Sequence, residues 1–173
     1  MNDELIILAI EGCCCSGKTT FARQLAEKYD CNVFHMDDFF LRPFQRTEER
    51  YQTPGGNVDY ERFREEVLIP ITGGQPFSYR PFDCRRMSLS EPVYVKPKGI
   101  NIVEGTYSMH PELQAFYTDS IFLKVSSEEQ LRRLSLRETS ESLKRFLDRW
   151  LPLEKLYFDI FRPWELCGHV FWT

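Results

Sequence analysis

The sequence predicts an α/β fold in which a parallel sheet is flanked by helices on both faces. Short apolar runs with the length of buried strands occur at 5–10, 31–36, 100–105, 120–125 and 168–172. Apolar residues at helical spacing, with charged residues between them, occupy the segments 20–29, 128–138 and 143–161. Because strands that alternate with helices form parallel sheets, these two observations define the fold class.

The junction of the first strand and first helix matches G-x-x-x-x-G-K-[ST] at every fixed position, which predicts a P-loop NTPase fold. Gly12 and Gly17 allow the backbone to wrap closely around phosphate oxygens. Lys18 would reach the β and γ phosphates, and the Thr19 hydroxyl would bind Mg²⁺. We therefore expect ATP and Mg²⁺ as cofactors, with a nucleotide held by Gly12, Cys13, Cys14, Cys15, Ser16, Gly17, Lys18, Thr19 and Thr20.

The composition predicts a single globular domain over residues 1–173, since 42% of the residues are hydrophobic and 28% are charged. The net charge of −4 argues against a nucleic-acid partner. The longest apolar run is too short to span a bilayer and lacks the features of a signal peptide. We therefore expect a cytoplasmic protein without a membrane partner.

The six cysteines form no C-x-x-C pair, so neither a metal site nor a disulfide framework is predicted. Three of them, Cys13, Cys14 and Cys15, are consecutive in the phosphate loop next to a helix N-terminus, which lowers thiol pKa values. They are interpreted either as oxidant-sensitive thiols or as small side chains that fill the loop.

The middle of the chain predicts an insertion around 41–95 that forms an acceptor site. Residues 41–59 are polar and rich in Pro and Gly, which is typical of a long functional loop. A helix is predicted at 60–68, a break at 70–76, and a hairpin at 77–94. The hairpin is a candidate surface for homo-oligomerisation, and the region 133–149 is the predicted lid.

Acidic residues follow two of the predicted strands, where an α/β sheet places its chemistry. Asp37 is the candidate general base for an acceptor hydroxyl and a candidate metal ligand, whereas Asp38 is expected to serve as a turn or cap residue. Glu104 is predicted to hold Mg²⁺ directly or through water.

Four segments taken together, 12–19, 35–40, 57–60 and 103–105, resemble the uridine kinase-like family. That family includes uridine-cytidine kinases and nicotinamide riboside kinases, with phosphoribulokinase and one class of pantothenate kinase as relatives. The resemblance covers most of the chain in the same order. It implies an ATP- and Mg²⁺-dependent transfer to a primary hydroxyl of a small metabolite, with a nucleoside 5′-hydroxyl as the first candidate.

The resemblance also implies roles for individual residues. Asp37 matches the catalytic base, Asp59 the acid that binds the ribose hydroxyls, and Tyr79 a tyrosine of the base pocket, while Phe40 belongs to the acceptor site. Lys18, Arg133 and Arg137 would neutralise the transferring phosphoryl group. Two alternatives remain: Asp59 as the N-cap of the helix at 60–68, and the two arginines as a solvated helix face.

The chain departs from the uridine kinase pattern in the acceptor region. Cys84 stands where uridine kinases carry a histidine, which favours nicotinamide riboside or another non-nucleoside alcohol as an alternative acceptor. Arg80, Arg85 and Arg86 either bind an anionic acceptor or decorate the hairpin.

The sequence argues against two other classes of P-loop or dinucleotide-binding protein and leaves a third class as an alternative. A GTPase lacks its guanine-reading motif here, and the glycine spacing is not that of a dinucleotide-dependent oxidoreductase. A catalytically inactive nucleotide-binding regulatory protein is the remaining alternative, and it would have no need of a base such as Asp37.

Overall fold

The computed structural model describes residues 5–173, so residues 1–4 of the predicted domain lie outside the described residues. The strands are β1 (Ile6–Gly12), β2 (Cys31–His35), β3 (Phe77–Tyr79), β4 (Phe82–Asp83), β5 (Ser88–Leu89), β6 (Val93–Val95), β7 (Ile100–Glu104), β8 (Asp119–Lys124) and β9 (His169–Trp172). The helices are α1 (Lys18–Ala26), α2 (Glu48–Gln52), α3 (Tyr60–Phe63), α4 (Ile69–Gly73), α5 (Ser127–Arg137), α6 (Ser140–Arg145) and α7 (Leu151–Phe161).

The five long strands form one parallel sheet in the order β2-β7-β1-β8-β9, which confirms the predicted fold class. In this register Ile10 and His35 both pair with Glu104, and Gly12 pairs with Leu123. The carboxyl ends of β1, β2 and β7 therefore meet at one edge, where the phosphate loop and both predicted acids begin.

The core lies on both faces of this sheet because side chains alternate between the faces along each strand. One cluster contains Ile10, Ala22, Cys31, Ile102 and Leu123, which places α1 on the first face. A larger cluster on the other face joins strand residues to the insertion and to α7, and includes Ile7, Phe34, Met36, Phe39, Phe63, Val67, Val103 and Tyr157.

The predicted hairpin at 77–94 is confirmed as two short antiparallel ladders nested one inside the other. Strand β3 pairs with β6, and β4 pairs with β5. Arg80 crosses between the arms, since its guanidinium donates to Ser90 O at 2.6 Å and to Leu89 O at 3.3 Å. The predicted loop 41–59 is more ordered than expected, because it contains α2 and a 3₁₀ turn at Pro43–Gln45.

The prediction of a helix break at 70–76 is wrong, since the helix runs through Pro70 to Gly73. A π-helical turn at Arg64–Leu68 precedes the proline, and in it the Ile69 N–H donates to Arg64 O. This wider turn delivers the chain to Pro70 at the beginning of α4, where a missing N–H costs little. The same arrangement recurs where the π-helical turn Phe146–Trp150 precedes Pro152 of α7.

Within residues 5–173, none of the helices combines the length and the apolar character that crossing a bilayer requires.

Candidate active site

A cleft of about 930 Å³ lies at the carboxyl edge of the sheet. Most of the residues predicted for the site line it: Cys14, Cys15, Gly17, Lys18, Thr19, Thr20, Asp37, Phe40, Glu104, Arg133 and Arg137. Of the other predicted residues, Gly12, Cys13 and Ser16 belong to the phosphate loop without lining the cleft, and Asp59 and Tyr79 do not line it either. The geometry thus gathers the predicted phosphate-binding and catalytic residues and leaves two predicted acceptor contacts outside the cleft wall.

The phosphate loop depends on its two glycines for different reasons. Gly12 has φ 153°, and a Cβ at this position would lie 2.5 Å from Leu123 O of the neighbouring strand. Gly17 has φ 90°, a left-handed conformation that strains any L side chain, while the space around it is open. The loop therefore packs tightly against β8 at one end and stays open at the other, where α1 begins.

Lys18 is held over the loop by two contacts. Its Nζ donates to Cys13 O at 2.7 Å and to Thr106 Oγ1 at 3.3 Å. The Thr106 hydroxyl in turn donates to Gly12 O at 2.9 Å, which ties the segment after β7 to the loop. The ammonium group is thereby positioned at the mouth of the phosphate cradle.

Glu104 joins the ends of three elements. Its Oε1 accepts a hydrogen bond from the Thr19 hydroxyl at 3.0 Å and lies 2.5 Å from His35 Nδ1. This hydrogen bond raises the pKa of His35 above its usual value, which favours the imidazolium. Sequence reasoning did not assign a role to His35, although its place directly before two acids at a strand end was a signal.

Asp37 faces this group from the 3₁₀ turn Met36–Phe39, and its side chain keeps access to solvent through the cleft. Desolvation by the surrounding walls raises the carboxyl pKa, and the charge of Lys18 opposes that rise. A carboxylate with an elevated pKa is a better proton acceptor, as a general base requires. Asp38 turns away and accepts a long hydrogen bond of 3.5 Å from the Tyr79 hydroxyl.

The three loop cysteines differ in their environments. Cys15 adopts φ 61°, and a hydrogen bond from Cys14, helped by the charge of Arg137, lowers its pKa to about 6. Donating that hydrogen bond raises the pKa of Cys14, and burial raises the pKa of Cys13 to about 12. All six cysteines of the chain are free thiols, and their oxidant sensitivity stays a prediction.

Two buried acids were missed by sequence reasoning. Glu154 of α7 lines the cleft, and its carboxylate accepts from the Cys14 N–H of the phosphate loop and from Gln130 Nε2, both at 2.8 Å. Burial raises its pKa. No local pattern could have shown this, because the contact spans 140 residues.

Glu11, inside β1, is fully buried. Its carboxylate accepts from the Gly12, Tyr107 and Met109 amides and from the Tyr157 hydroxyl, at 2.8 to 3.2 Å. Burial nevertheless raises its pKa to about 7. An acid within an otherwise apolar strand was a usable signal for this site.

Asp59 lies at the N-terminus of α3 and caps it, since its Oδ1 accepts from the Arg62 N–H at 3.3 Å. The carboxylate is buried, and its Oδ2 is 3.4 Å from both Arg42 Nη2 and Arg62 Nε. This geometry agrees with the alternative interpretation of Asp59 as an N-cap. Its proposed contact with ribose stays a prediction, as does the contact of the buried Tyr79 with a base.

The two lid arginines lie on α5 beside the phosphate loop. Arg133 donates to Cys15 O at 3.1 Å and to Glu129 Oε1 at 2.7 Å. Arg137 donates to Glu138 Oε1 at 2.8 Å. Both side chains line the cleft, so a phosphoryl group held by the loop would have two guanidinium groups nearby.

Known proteins resemble the chain mainly in fold. The chain matches no protein-family model. Two solved structures match it at about 20% identity, and their names are those of kinases. A protein from Bacillus stearothermophilus described as a possible uridine kinase has a TM-score of 0.73, with 20% identity over 97% of this chain and 89% of that one. A candidate fructose transport system kinase from Silicibacter sp. TM1040 has a TM-score of 0.74, with 21% identity over 97% and 90%.

A curated relative is the tRNA-specific adenosine deaminase subunit tad2 of Schizosaccharomyces pombe (strain 972 / ATCC 24843). It is 23% identical over 163 residues, which cover 88% of this chain. The chain spans 39% of the length of that relative. The fold of the chain is that of the uridine kinase-like P-loop kinases, and its structural neighbours are kinases of small molecules.

Proposed function

We propose that the chain is an ATP- and Mg²⁺-dependent phosphotransferase that acts on a primary hydroxyl of a small metabolite. The observation that carries this proposal is the cleft itself. Lys18, the Thr19–Glu104 pair and the Asp37 carboxylate line one wall, so a phosphate cradle and a candidate base face the same space. A nucleotide-binding protein without catalysis would have no need of that base.

The residues present fit a magnesium ion. Thr19, Glu104 and Asp37 offer hydroxyl and carboxylate oxygens, the donors that Mg²⁺ prefers. Few protein ligands suffice, because Mg²⁺ in such sites takes the rest of its shell from phosphates and water. Among residues 5–173 no group of three His, Cys, Asp or Glu side chains is arranged to hold a metal ion. When bound, the ion would neutralise charge on the phosphate oxygens.

In the proposed reaction, Asp37 accepts the proton of the acceptor hydroxyl as its oxygen bonds to the γ-phosphorus. The bond between that phosphorus and the bridging oxygen of ADP breaks, which yields ADP and a phosphate monoester. Lys18 and the lid arginines Arg133 and Arg137 would offset the negative charge spread over the phosphoryl oxygens.

The acceptor proposed from the sequence resemblance is a nucleoside 5′-hydroxyl, with nicotinamide riboside or another alcohol as the alternative. One structural neighbour is described as a possible uridine kinase and the other as a candidate fructose transport system kinase, which supports a small-molecule acceptor of either kind. We also propose that the molecule acts in the cytoplasm on small molecules, and that any self-association uses the hairpin at 77–94.

The test is ADP release by the purified protein with ATP and Mg²⁺ across a panel of uridine, cytidine, nicotinamide riboside, pantothenate and phosphorylated sugars. Asp37→Asn should lower kcat by about 10²- to 10⁴-fold and leave ATP affinity nearly unchanged. Asp38→Asn is the matched control, because the neighbouring carboxylate faces Tyr79, and it should retain most activity.

Acceptor-stimulated turnover that survives Asp37→Asn would show that the base assignment is wrong. Tight ATP binding without stimulation by any acceptor would favour the regulatory alternative.

A further inference from the structure

We propose that the acceptor of this kinase is an alcohol that also carries a negatively charged oxyanion group, and that Arg46 binds this group. The proposal rests on the proposed function, since it concerns the acceptor end of the same cleft, and it selects a charged non-nucleoside alcohol in place of the nucleoside implied by the sequence resemblance. Arg46 belongs to the segment between the 3₁₀ turn Pro43–Gln45 and α2. It lines the cleft together with Asp37, Phe40 and Cys84.

The arginines around Arg46 are tied to carboxylates. Arg42 pairs with Asp59 at 3.4 Å, Arg50 with Glu61 at 2.6 Å, and Arg62 with Glu66 at 3.2 Å. Arg50 also donates to Gly56 O and Val58 O, so its guanidinium is fully used in holding the loop. These arginines have structural roles and offer no free positive charge to a ligand.

Arg46 differs from them. Its Nε donates to Leu41 O at 2.9 Å, and its guanidinium carbon lies 5.5 Å from the centroid of the Phe82 ring. Among residues 5–173 it has no carboxylate within ion-pair distance. The side chain is half-buried, so the backbone carbonyl and the aromatic ring hold the guanidinium in place while its charge stays uncompensated.

The position of Arg46 relates it to the chemistry. Arg46 and the Asp37 carboxylate line the same cleft, and Cys84 of the hairpin also belongs to its wall. An acceptor whose hydroxyl reaches Asp37 would have its far end near a fixed guanidinium.

The arginines that the sequence suggested for this role lie elsewhere. Arg80 bonds to hairpin carbonyls, and the Asp83 carboxylate accepts from the Arg85 and Arg86 amides at 2.7 and 3.1 Å. None of the three lines the cleft. A guanidinium binds carboxylate and phosphate equally well, because both present two oxygens to its planar fork. The inferred class is therefore an alcohol with either group.

The experiment compares acceptors that differ in their charged group, under the ADP-release assay. Pantothenate and D-glycerate supply a carboxylate, glycerol 3-phosphate supplies a phosphate, and uridine and glycerol are neutral. The variants are Arg46→Gln, Arg46→Lys and the control Arg85→Gln, which removes an exposed positive charge from the hairpin outside the cleft. Thermal unfolding of each variant verifies that it is folded.

We expect the protein to prefer a charged acceptor over uridine and glycerol. Whether the preferred acceptor carries a carboxylate or a phosphate then identifies the group that Arg46 binds. Arg46→Gln should raise KM for that acceptor by about 10- to 100-fold, with a small change in kcat and none in KM for ATP. Arg46→Lys should recover part of the loss, because it keeps the charge and loses the fork. Arg85→Gln should match the parent protein.

Preference for uridine over every charged alcohol would overturn the inference and leave the kinase function intact, as would an unchanged KM in Arg46→Gln. If no acceptor in the panel is phosphorylated, a binding measurement tests the inference instead. With Mg²⁺ and a non-hydrolysable ATP analogue, a charged alcohol should raise the unfolding temperature of the parent protein and not of Arg46→Gln. No rise with any of them would overturn the inference.

Discussion

The two halves of the cleft are built in different ways. The phosphate half, residues 12–20 with Glu104, stands on the ends of parallel strands whose register the sheet ladder fixes. The acceptor half, residues 38–95, combines one helix that runs from Tyr60 through a π-helical turn to Gly73 with strands and turns of two to five residues, and arginine side chains join them. The first is therefore determined by backbone pairing, whereas the second depends on a few side chains.

Arg62 is central to the acceptor half. Its guanidinium donates to Arg80 O at 2.8 Å and to Asp38 O at 3.3 Å, and lies 4.3 Å above the Phe39 ring. With the Asp59 contact, this one buried side chain links α3, the hairpin and the turn that carries the candidate base.

Removing Arg62 should have the largest effect and test this contrast most directly. Arg62→Gln removes the buried one of the two arginines beside the buried Asp59 carboxylate, which should lower the free energy of unfolding by about 3 to 5 kcal/mol. Urea denaturation would measure the loss, and hydrogen exchange should rise in 38–95 before it rises in the sheet. Arg64→Gln on the same helix is the control, since its ion pairs are at the surface and contribute less than about 1 kcal/mol. Equal losses in the two variants would contradict the proposed dependence on Arg62.

Glu11, the residue directly before the phosphate half, should affect the pH dependence of stability. Because Glu11 has a pKa of about 7 when folded and 4.5 as its ordinary value, the folded state holds a proton that the unfolded chain releases. The free energy of unfolding should therefore fall by about 3 kcal/mol as pH rises from 4.5 to 7, and this contribution should stay constant above pH 7. Denaturation at several pH values would measure the slope, and Glu11→Gln should flatten it. An unchanged slope in the variant would assign the effect to other acids.

The smallest predicted effect concerns Glu154, which brings negative charge to the phosphate cradle. Glu154→Gln removes that charge and weakens the competition for the Cys14 N–H, so ATP should bind about 10-fold more tightly. Calorimetric titration at pH 8 would measure the affinity. Glu128→Gln makes the same charge change at an exposed position of α5, and its affinity should be unaltered. Weaker ATP binding in Glu154→Gln would mean that the carboxylate supports the loop.

The sequence predicted the phosphate half well because its signals are local. The spacing of Gly12, Gly17 and Lys18 and the acids after two apolar strands are read within short windows, and parallel pairing then brings Asp37 and Glu104 together. The acceptor half was predicted less well. The pairing of Arg62 with Asp59, and the lack of a partner for Arg46, depend on how short segments fold back on one another.

The prolines show a second limit of what can be predicted from the sequence. The sequence predicts a helix break over 70–76, whereas a π-helical turn accommodates Pro70 and the helix continues to Gly73. Both π-helical turns of the structure precede a proline, Pro70 in one case and Pro152 in the other, so a wider turn before the proline takes the place of a helix end.

The other π-helical turn, Phe146–Trp150, also sets which face of α7 points toward the phosphate loop. An α-helix advances about 100° per residue, so the extra residue accommodated in Phe146–Trp150 rotates everything after it by about that angle. Glu154 and Tyr157 meet the phosphate loop and Glu11 only in this rotated phase. One residue of helix length therefore acts as an angular adjustment between the lid and the nucleotide site, and lengthening or shortening the segment by one would break both contacts.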